Sequence, residues 1–480
     1  MFPDVSVATG FPQSYAALHE YYQILCREAA ANAGTAPNCA GWTPAAFGDN
    51  PSGINEQSEK TKAFYTQLRF GWDDLKMPID GNVGVRYVKT DMDAGGYTVF
   101  NNTSAIVNPP QTLTGVPIPN IPAYSAAQGY QNSYSNVLPS LNLRLKARDD
   151  LQFRFALARA ISRPDFSQLQ GYTTLSQSTD TTTTIFPDRP SNTNVNFVNQ
   201  TGEGKGNPLL KPIKSDQLDL TGEWYFGKAS SITLAMFHKR LKDIIVNQTY
   251  QYAIPDVNGR MYNFNVTAPV NGASGRATGF EVAYQQYFDK LPGAWAGLGV
   301  QANYTYVDSN TKLSTSTFTA YCTGGNNAAN VNLNQNGCDT NGQSFGDLPL
   351  QYLSKNAYNL ALLYDYGKWS ARAAWSWRSK NLQGVNVNGT KGGDGTDTNP
   401  NSATPGATNI GWALPTWADD YGQLDASVSY QFNDNLQVVV DGSNLTDSKY
   451  KQLMQQGIGM MGRAWFVSGP RYSAKLNYTF

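Results

Sequence analysis

From Ala464 to Phe480 the chain alternates. Its even positions are Ala464, Phe466, Ser468, Pro470, Tyr472, Ala474, Leu476, Tyr478 and Phe480. Its odd positions are Trp465, Val467, Gly469, Arg471, Ser473, Lys475, Asn477 and Thr479. One set is mostly apolar and aromatic; the other carries most of the polar and charged groups. Successive side chains of a strand point to opposite faces, so the pattern predicts a strand between two different solvents. The closing strand of a transmembrane β-barrel has that need, with an apolar, aromatic-edged face toward lipid and a polar face toward the lumen. Taken alone, the stretch also fits an amphipathic strand of a soluble sandwich.

Composition separates the two. Charged residues make up 15% of the 480, against roughly 25% in soluble domains. Aromatics reach 12%, with 28 Tyr and 10 Trp, as aromatic girdles and long polar loops require. The 36 basic and 36 acidic residues cancel, which leaves no whole-chain case for nucleic-acid binding. No run of about 18 apolar residues exists, so no transmembrane helix is expected. Barrel strands are half polar and give little hydropathy signal. The opening MFPDVSVATGFPQSY lacks the basic and apolar regions of a signal peptide. An exported barrel needs one, so the expectation is that it has been removed or that this sequence is the C-terminal part of a longer chain.

The four cysteines fall into two local pairs, Cys26 with Cys39 and Cys322 with Cys338, each around a Gly/Asn/Ala/Thr-rich segment outside the strand pattern. Two loop disulfides in an oxidising compartment are expected. Zinc is the rival, but the spacings are wrong and only His19 and His238 exist as further ligands. No metal or cofactor is expected.

Residues 1–57 show no alternation and read as an extracellular loop segment, with a short helix over Tyr15–Ala30. Residues 58–480 read as barrel. The hairpin Leu141–Leu157 is the clearest: Leu141, Leu143 and Leu145 alternate with Asn142, Arg144 and Lys146, Arg148-Asp149-Asp150 turn, and Leu151, Phe153, Phe155 and Leu157 return. The same grammar recurs around Phe64–Trp72, Val83–Tyr87, Leu218–Phe226, Ile232–Arg240, Phe280–Tyr284, Leu298–Tyr304, Tyr358–Tyr364, Trp369–Trp377, Leu424–Phe432 and Leu436–Val440. About thirteen strands result, with connections alternately short and long, as in barrels with short periplasmic turns and long outer loops. Residues 94–129, 166–212, 310–348, 384–418 and 451–463 read as loop. Thirteen is odd, whereas a single-chain barrel closes with an even count. The expected outcome is an open, curved half-barrel or a forced parallel seam.

Enzymatic motifs are absent: there is no G-x-S-x-G and no H-E-x-x-H, and His238 sits among wall residues. The GEGKG at 202–206 follows a polar loop and opens no helix, which argues against a phosphate loop. Arg144, Lys146, Arg154, Arg159, Arg163, Asp216, Asp219, Glu223, Glu281, Arg372 and Arg378 are expected on the inner wall. Two roles are open to them there, an ion-pair network or direct ligand contact. The loop aromatics Tyr172, Tyr321, Trp412 and Trp417 either stack on a ligand or pack the loops.

Several stretches resemble the TonB-dependent outer-membrane receptors. They are Asn207-Pro208-Leu209-Leu210-Lys211-Pro212 with Ser215, Asp216, Asp219, Glu223 and Tyr225; Thr278-Gly279-Phe280-Glu281; Asn444-Leu445-Thr446-Asp447 with Tyr450; and Gly469-Pro470-Arg471 ahead of Phe480. The long form of these motifs is similar to the oligosaccharide-scavenging subgroup. The resemblance covers about residue 60 to the end. It implies a barrel of about 22 strands around an N-terminal plug, so that about thirteen strands are present here and the plug and TonB box lie upstream. It implies active uptake of a carbohydrate or siderophore-like ligand across the bacterial outer membrane. The implied partners are the TonB complex, through that N-terminal part, outer-membrane lipid, and the barrel-assembly machinery, which would read Leu476, Tyr478 and Phe480. A passive porin is the alternative reading of the strand grammar, and it leaves the motifs unexplained.

Overall fold

A computed structural model describes residues 13–34, 39, 55–100, 112–184, 192–313, 321–323, 335–387, 389–402, 404–408 and 410–480. The chain divides into two units, 1–54 and 55–480. In the first, Gln13–Asn32 form helix α1, none of whose residues is buried, and Cys26 on this helix is bonded to Cys39. The expected Tyr15–Ala30 helix is therefore present. Most of the remaining 1–57 segment lies outside the described residues.

The second unit is built from strands. In chain order they are β1 (Gln57–Trp72), β2 (Ile79–Phe100), β3 (Thr112–Gly115), β4 (Tyr124–Arg148), β5 (Leu151–Ser162), β6 (Thr173–Thr184) and β7 (Asn192–Gly204). Next come β8 (Ile213–Gly227), β9 (Ser230–Pro255), β10 (Met261–Tyr287), β11 (Leu298–Leu313), β12 (Asn356–Tyr366) and β13 (Trp369–Arg378). The last are β14 (Asn381–Val385), β15 (Lys391–Gly395), β16 (Ile410–Ala413), β17 (Pro415–Ala418), β18 (Tyr421–Asn433), β19 (Leu436–Ser443), β20 (Tyr450–Gln456), β21 (Gly459–Phe466) and β22 (Arg471–Tyr478).

Thirteen of them form one antiparallel wall in the order β1-β2-β4-β5-β8-β9-β10-β11-β12-β13-β18-β19-β22. The alternation in the sequence sets its register. Val83 faces Leu141, Leu157 faces Leu218, Val282 faces Tyr304 and Val438 faces Leu476 on one side. Asp80 faces Arg144, Asn303 faces Asn359 and Gln437 faces Asn477 on the other. A one-residue slip would exchange these two sets, so each strand has one usable register. The apolar face stands exposed along its length, with Phe64 and Leu476 each 70% accessible. In a membrane protein that is the lipid face. No described helix is long and apolar enough to cross a membrane. Among the described residues the outer edges of β1 and β22 have no partner; the wall is open.

Five stretches that read as loop are partly strand. β2 continues to Phe100 and β4 begins at Tyr124, within 94–129. Residues 166–212 fold back as the hairpin β6–β7, residues 310–348 begin with the end of β11, and β14 to β17 occupy much of 381–418. The stretch 451–463 is the β20–β21 hairpin. The alternating run from Ala464 onward is therefore two strands, β21 and β22. They are broken at Gly469, whose φ of +66° suits glycine, and at Pro470, which has no N–H to donate. The connection from Arg240 to Phe280 is one continuous hairpin: β9 has 26 residues and β10 has 27. Crossing a bilayer takes about 9–11 residues, so both strands stand far above it. In those upper parts the alternation continues, Tyr250, Tyr252 and Ile254 against Thr249 and Gln251 and Tyr262, Phe264 and Val266 against Asn263 and Asn265, but its apolar face packs into a core of neighbouring connections.

The two faces give a direct test. A basic residue on the lipid side near the midplane costs roughly 2–4 kcal/mol. Leu476→Arg is expected to cut the folded, membrane-inserted yield strongly, while Asn477→Arg one position later leaves it near normal. Heat-modifiable gel mobility of outer-membrane fractions checks this.

Candidate functional site

The polar face of the wall carries a set of folded connections. The first runs from β5 to β8. Arg163 leaves β5 and pairs with Glu59 of β1, and Leu169 packs with Met92, Ala94 and Leu210. The hairpin β6–β7 then pairs in parallel with the tip of β2 on one side and with β10 on the other. The hairpins β2–β4, β6–β7 and β9–β10 contribute to an apolar core that includes Phe100, Leu175, Ile254, Phe264 and Val266, with Ile121 from the β3–β4 connection. The rings of Phe100 and Phe264 meet edge to face at 5.5 Å. The run TTLSQSTDTTTT of β6 supplies the β-branched residues a strand favours. The alternation of Thr193, Val195 and Phe197 with Asn192, Asn194 and Asn196 in β7 was a second signal for this hairpin.

The return to β8 is the Asn207–Pro212 turn, and it is clamped by amides. Asn132 Nδ2 of β4 donates to the carbonyls of Pro208 (3.1 Å) and Leu210 (3.0 Å). Asn271 of β10 accepts from Lys211 N and donates to Lys211 O, both at 2.8 Å. Asn207 Nδ2 donates to Pro269 O at 3.0 Å. This motif therefore holds the connection to the wall. The other motifs are likewise architectural. A Cβ on Gly279 would stand 2.0 Å from the Tyr306 carbonyl, so only glycine allows that strand approach. Asn444, in the left-handed region at φ +52°, accepts from Ser448 N at 2.7 Å and donates to Ser448 O at 3.1 Å.

The second folded connection precedes β12 and follows β13. Cys322 and Cys338 are bonded, and Cys338 exchanges two backbone hydrogen bonds with Ala413, at 2.7 and 2.8 Å. Asp397, only 2% accessible, takes hydrogen bonds from Thr323 Oγ1 (2.6 Å) and Asn399 N (3.0 Å). The Ser402 and Thr323 hydroxyls hold its carboxyl below the ordinary aspartate value. Strands β14, β17, β20 and β21 form a small sheet over a core of Leu348, Leu382, Val385, Ala413 and Trp417.

Between the two connections lies a cavity of about 510 Å³. Polar side chains dominate its lining: Gln168, Glu203, Lys205, Asn247, Gln335 and Gln351. Its only two charges among these, Glu203 and Lys205, pair with each other at 3.0 Å. The cavity therefore offers amide donors and acceptors and little net charge.

The aromatics read from the sequence lie elsewhere. Trp417 belongs to the loop core and donates to Gln455 Oε1 at 2.9 Å. Trp412 donates to Asp394 Oδ1 at 2.7 Å. Tyr321 bridges Gln343, and the Tyr172 carbonyl accepts from Lys205 N at 2.8 Å. The charged set divides. Arg154 and Glu223 pair at 2.8 Å on the polar face, and Arg144 pairs with Asp80 at 2.8 Å. Asp219, Glu281, Arg372 and Arg378 share that face by register, as does Lys146, opposite Gln152, but make no ion pair among the described residues. Arg378 instead stacks over Tyr450, 5.7 Å from the ring centre. Arg159 and Asp216, paired at 2.6 Å, are on the opposite side, in register with Leu157 and Leu218. They were expected inside and are outside, because Arg154 and Arg159 differ in parity. The amides of the cavity escaped the sequence reading altogether, since Gln and Asn are common in loops.

An antiparallel wall with one apolar face, long upper strands and folded connections on the polar face is the architecture of an outer-membrane β-barrel. Residues 8–445 match the model of the family described as TonB dependent receptor-like, beta-barrel. The chain belongs to the TonB-dependent receptors, whose barrels reside in the bacterial outer membrane. No curated protein matches the sequence. Among solved structures, the siderophore receptor PirA of Acinetobacter baumannii is 16% identical with a TM-score of 0.46, over 88% of this chain and 55% of that one. The ferric-catecholate import receptor Fiu of E. coli K12 is 13% identical with a TM-score of 0.47, over 88% and 45%. The ferric yersiniabactin uptake receptor FyuA of Yersinia pestis is 12% identical with a TM-score of 0.46, over 89% and 46%. The chain thus spans about half the length of these receptors.

Two outcomes follow from the clamps. Asn132→Ala strips a partner from two carbonyls, a loss of about 1–3 kcal/mol if they stay unpaired, so proteolytic cleavage within 163–212 should rise while the wall stays intact. Asp397 behaves differently. Because its folded pKa is depressed, its contribution is complete above the ordinary aspartate value of about 3.9 and is lost as pH falls from there through the folded value. The protection of amides in 389–413, taken relative to the intrinsic exchange rate at each pH, should therefore fall at acid pH in the native protein. In Asp397→Asn the exchange should be faster at neutral pH and lose that acid step.

Proposed function

We propose that this chain supplies part of the wall and the outer ligand site of a receptor that takes up a hydroxyl-rich small molecule, such as an oligosaccharide, by TonB-coupled active transport. The observation that carries the ligand class is the amide-lined cavity. Side-chain amides offer paired donors and acceptors that suit sugar hydroxyls. A ferric siderophore carrying several negative charges would favour a cluster of cations, and here the one lysine is already matched by Glu203.

The open wall supports the coupling. An unpaired strand edge in hydrocarbon costs several kcal/mol for each open N–H or C=O. The edges of β1 and β22 therefore call for further strands, and a wall of thirteen strands with both of its own edges free fits a larger barrel than its own. The folded connections on the polar face would bind ligand from outside. Release inward would then require energy, because the interior of so wide a barrel must be closed at rest.

Growth separates the readings. Cells lacking the gene should fail on a particular oligosaccharide as sole carbon source at low concentration and grow normally on ferric siderophores as sole iron source. An uncoupler should stop uptake of labelled oligosaccharide in the wild type within the same assay. Uptake that persists after collapse of the proton gradient is the result expected of a passive porin, and loss of growth on a ferric siderophore alone would reassign the ligand.

A further inference from the structure

The outward face of the wall changes character abruptly above its apolar band. In the row of positions that register across β5, β8, β9 and β10 stand Arg159, Asp216, Arg240 and Arg276. The row above adds Lys214 opposite Lys242. The row below is Leu157, Leu218, His238 and Thr278, and the next is Phe155, Leu220, Met236 and Phe280. Within three rows along the strands the outward face thus passes from wholly apolar side chains through a mixed row to five cations. Their direction is fixed by register: they alternate with the polar-face residues Gln217, Lys239 and Ala277 and cannot turn inward without a slip.

The carboxylates nearby do not balance this charge. Asp216 is shared by Arg159 (2.6 Å) and Lys242 (3.3 Å), Asp243 serves Lys214 at 3.4 Å, and Asp308 stands 3.9 Å from both Arg276 and Lys355. Arg240 lies between Asp216 and Arg276 and makes no ion pair among the described residues. Arg276 keeps 58% of its side chain accessible and its one contact with Asp308 is long.

A second feature lies at the same height. A concavity of about 520 Å³ straddles the boundary. Its lower part is walled by Leu218, Leu220, Met236 and Phe280; its upper rim carries His238, Arg276 and the Asp308 carboxylate. His238 Nδ1 and Thr278 Oγ1, 2.7 Å apart, bond each other; Arg276, 3.9 Å from Asp308, is the arginine on this rim, and Arg240 registers opposite it on β9.

We infer that this face is a docking site for a phosphorylated lipid of the outer leaflet, with an acyl chain in the apolar concavity and a headgroup phosphate on Arg240 and Arg276. The charge is complementary, since guanidinium pairs bind phosphate in bidentate fashion. The location is complementary too. A cation just above the hydrocarbon boundary meets headgroups, and this cluster stays outside the barrel on any reading of what the lumen transports. The lipid is a partner of the wall and does not enter the transport path.

The test uses the full-length receptor purified in a neutral detergent. Bound lipid is read by native mass spectrometry and by thermal stabilisation on titration with diphosphoryl lipid A, the same lipid after enzymatic removal of its phosphates, and inorganic phosphate. The inference expects the phosphorylated lipid to bind about tenfold or more tightly than the dephosphorylated one. The double variant Arg240→Gln, Arg276→Gln should erase that difference, while Arg372→Gln, on the polar face, keeps it. Each variant is scored only as its heat-modifiable folded fraction, so a folding defect is not read as lost binding. Equal binding of the two lipids, or an unchanged preference in the double variant, overturns the site. Full competition by inorganic phosphate at concentrations equal to the lipid overturns the lipid as its occupant.

Discussion

Hydrocarbon supplies no hydrogen bonds, and the rest of this structure follows from that. Each backbone N–H and C=O inside the membrane must be met by a neighbouring strand. A sheet does this only if its register is unambiguous, and register is unambiguous only if its two faces differ. The pairing of Val438 with Leu476 beside that of Gln437 with Asn477 is the consequence, repeated across twelve strand junctions. The same demand makes the free edges of β1 and β22 unstable in isolation.

Above the membrane the constraint lifts, and the chain uses a different means of holding itself together. There the strands have water on at least one side, so packing and local hydrogen bonds must fix the connections. Small apolar cores do this, among them one around Phe100 and Phe264, one around Leu382 and Trp417 and one around Leu169 and Leu210. Amides complete it: Asn132 and Asn271 grip the turn at Pro208–Lys211, and the Cys322–Cys338 bond with Asp397 ties two segments some distance apart in sequence. The motifs that resemble a transport family are thus structural clamps. They hold the caps on the wall, and the cavity between the caps is lined by other residues.

This division explains what could be read from the sequence. The thirteen wall strands were legible because membrane burial imposes period-two alternation on each. Both disulfides were legible because each cysteine pair is local. The hairpin β6–β7 and the sheet β14-β17-β20-β21 were not: TTLSQSTDTTTT reads equally as a solvated linker, the alternation of β7 is confined to Asn192–Phe197, and β14 and β17 are too short to show a period. The cavity was illegible for a further reason. Gln168, Asn247 and Gln351 are far apart in sequence and become neighbours only when the connections fold.

The misplacement of Arg159 and Asp216 has its own physical lesson. Charge in a barrel strand suggests the lumen only where the strand lies in hydrocarbon. β9, at 26 residues and roughly 3.3 Å each, is about 86 Å long, far more than the roughly 30 Å hydrocarbon core. Parity along such a strand fixes which face a side chain takes; height fixes what that face meets. Ile232, Leu234 and Met236 share a face with His238 and Arg240, and the same face that repels charge at one level requires it a few residues higher. An outward arginine at that level is consistent with a barrel wall, and its sign relative to the surrounding carboxylates says what kind of headgroup the wall was shaped to meet.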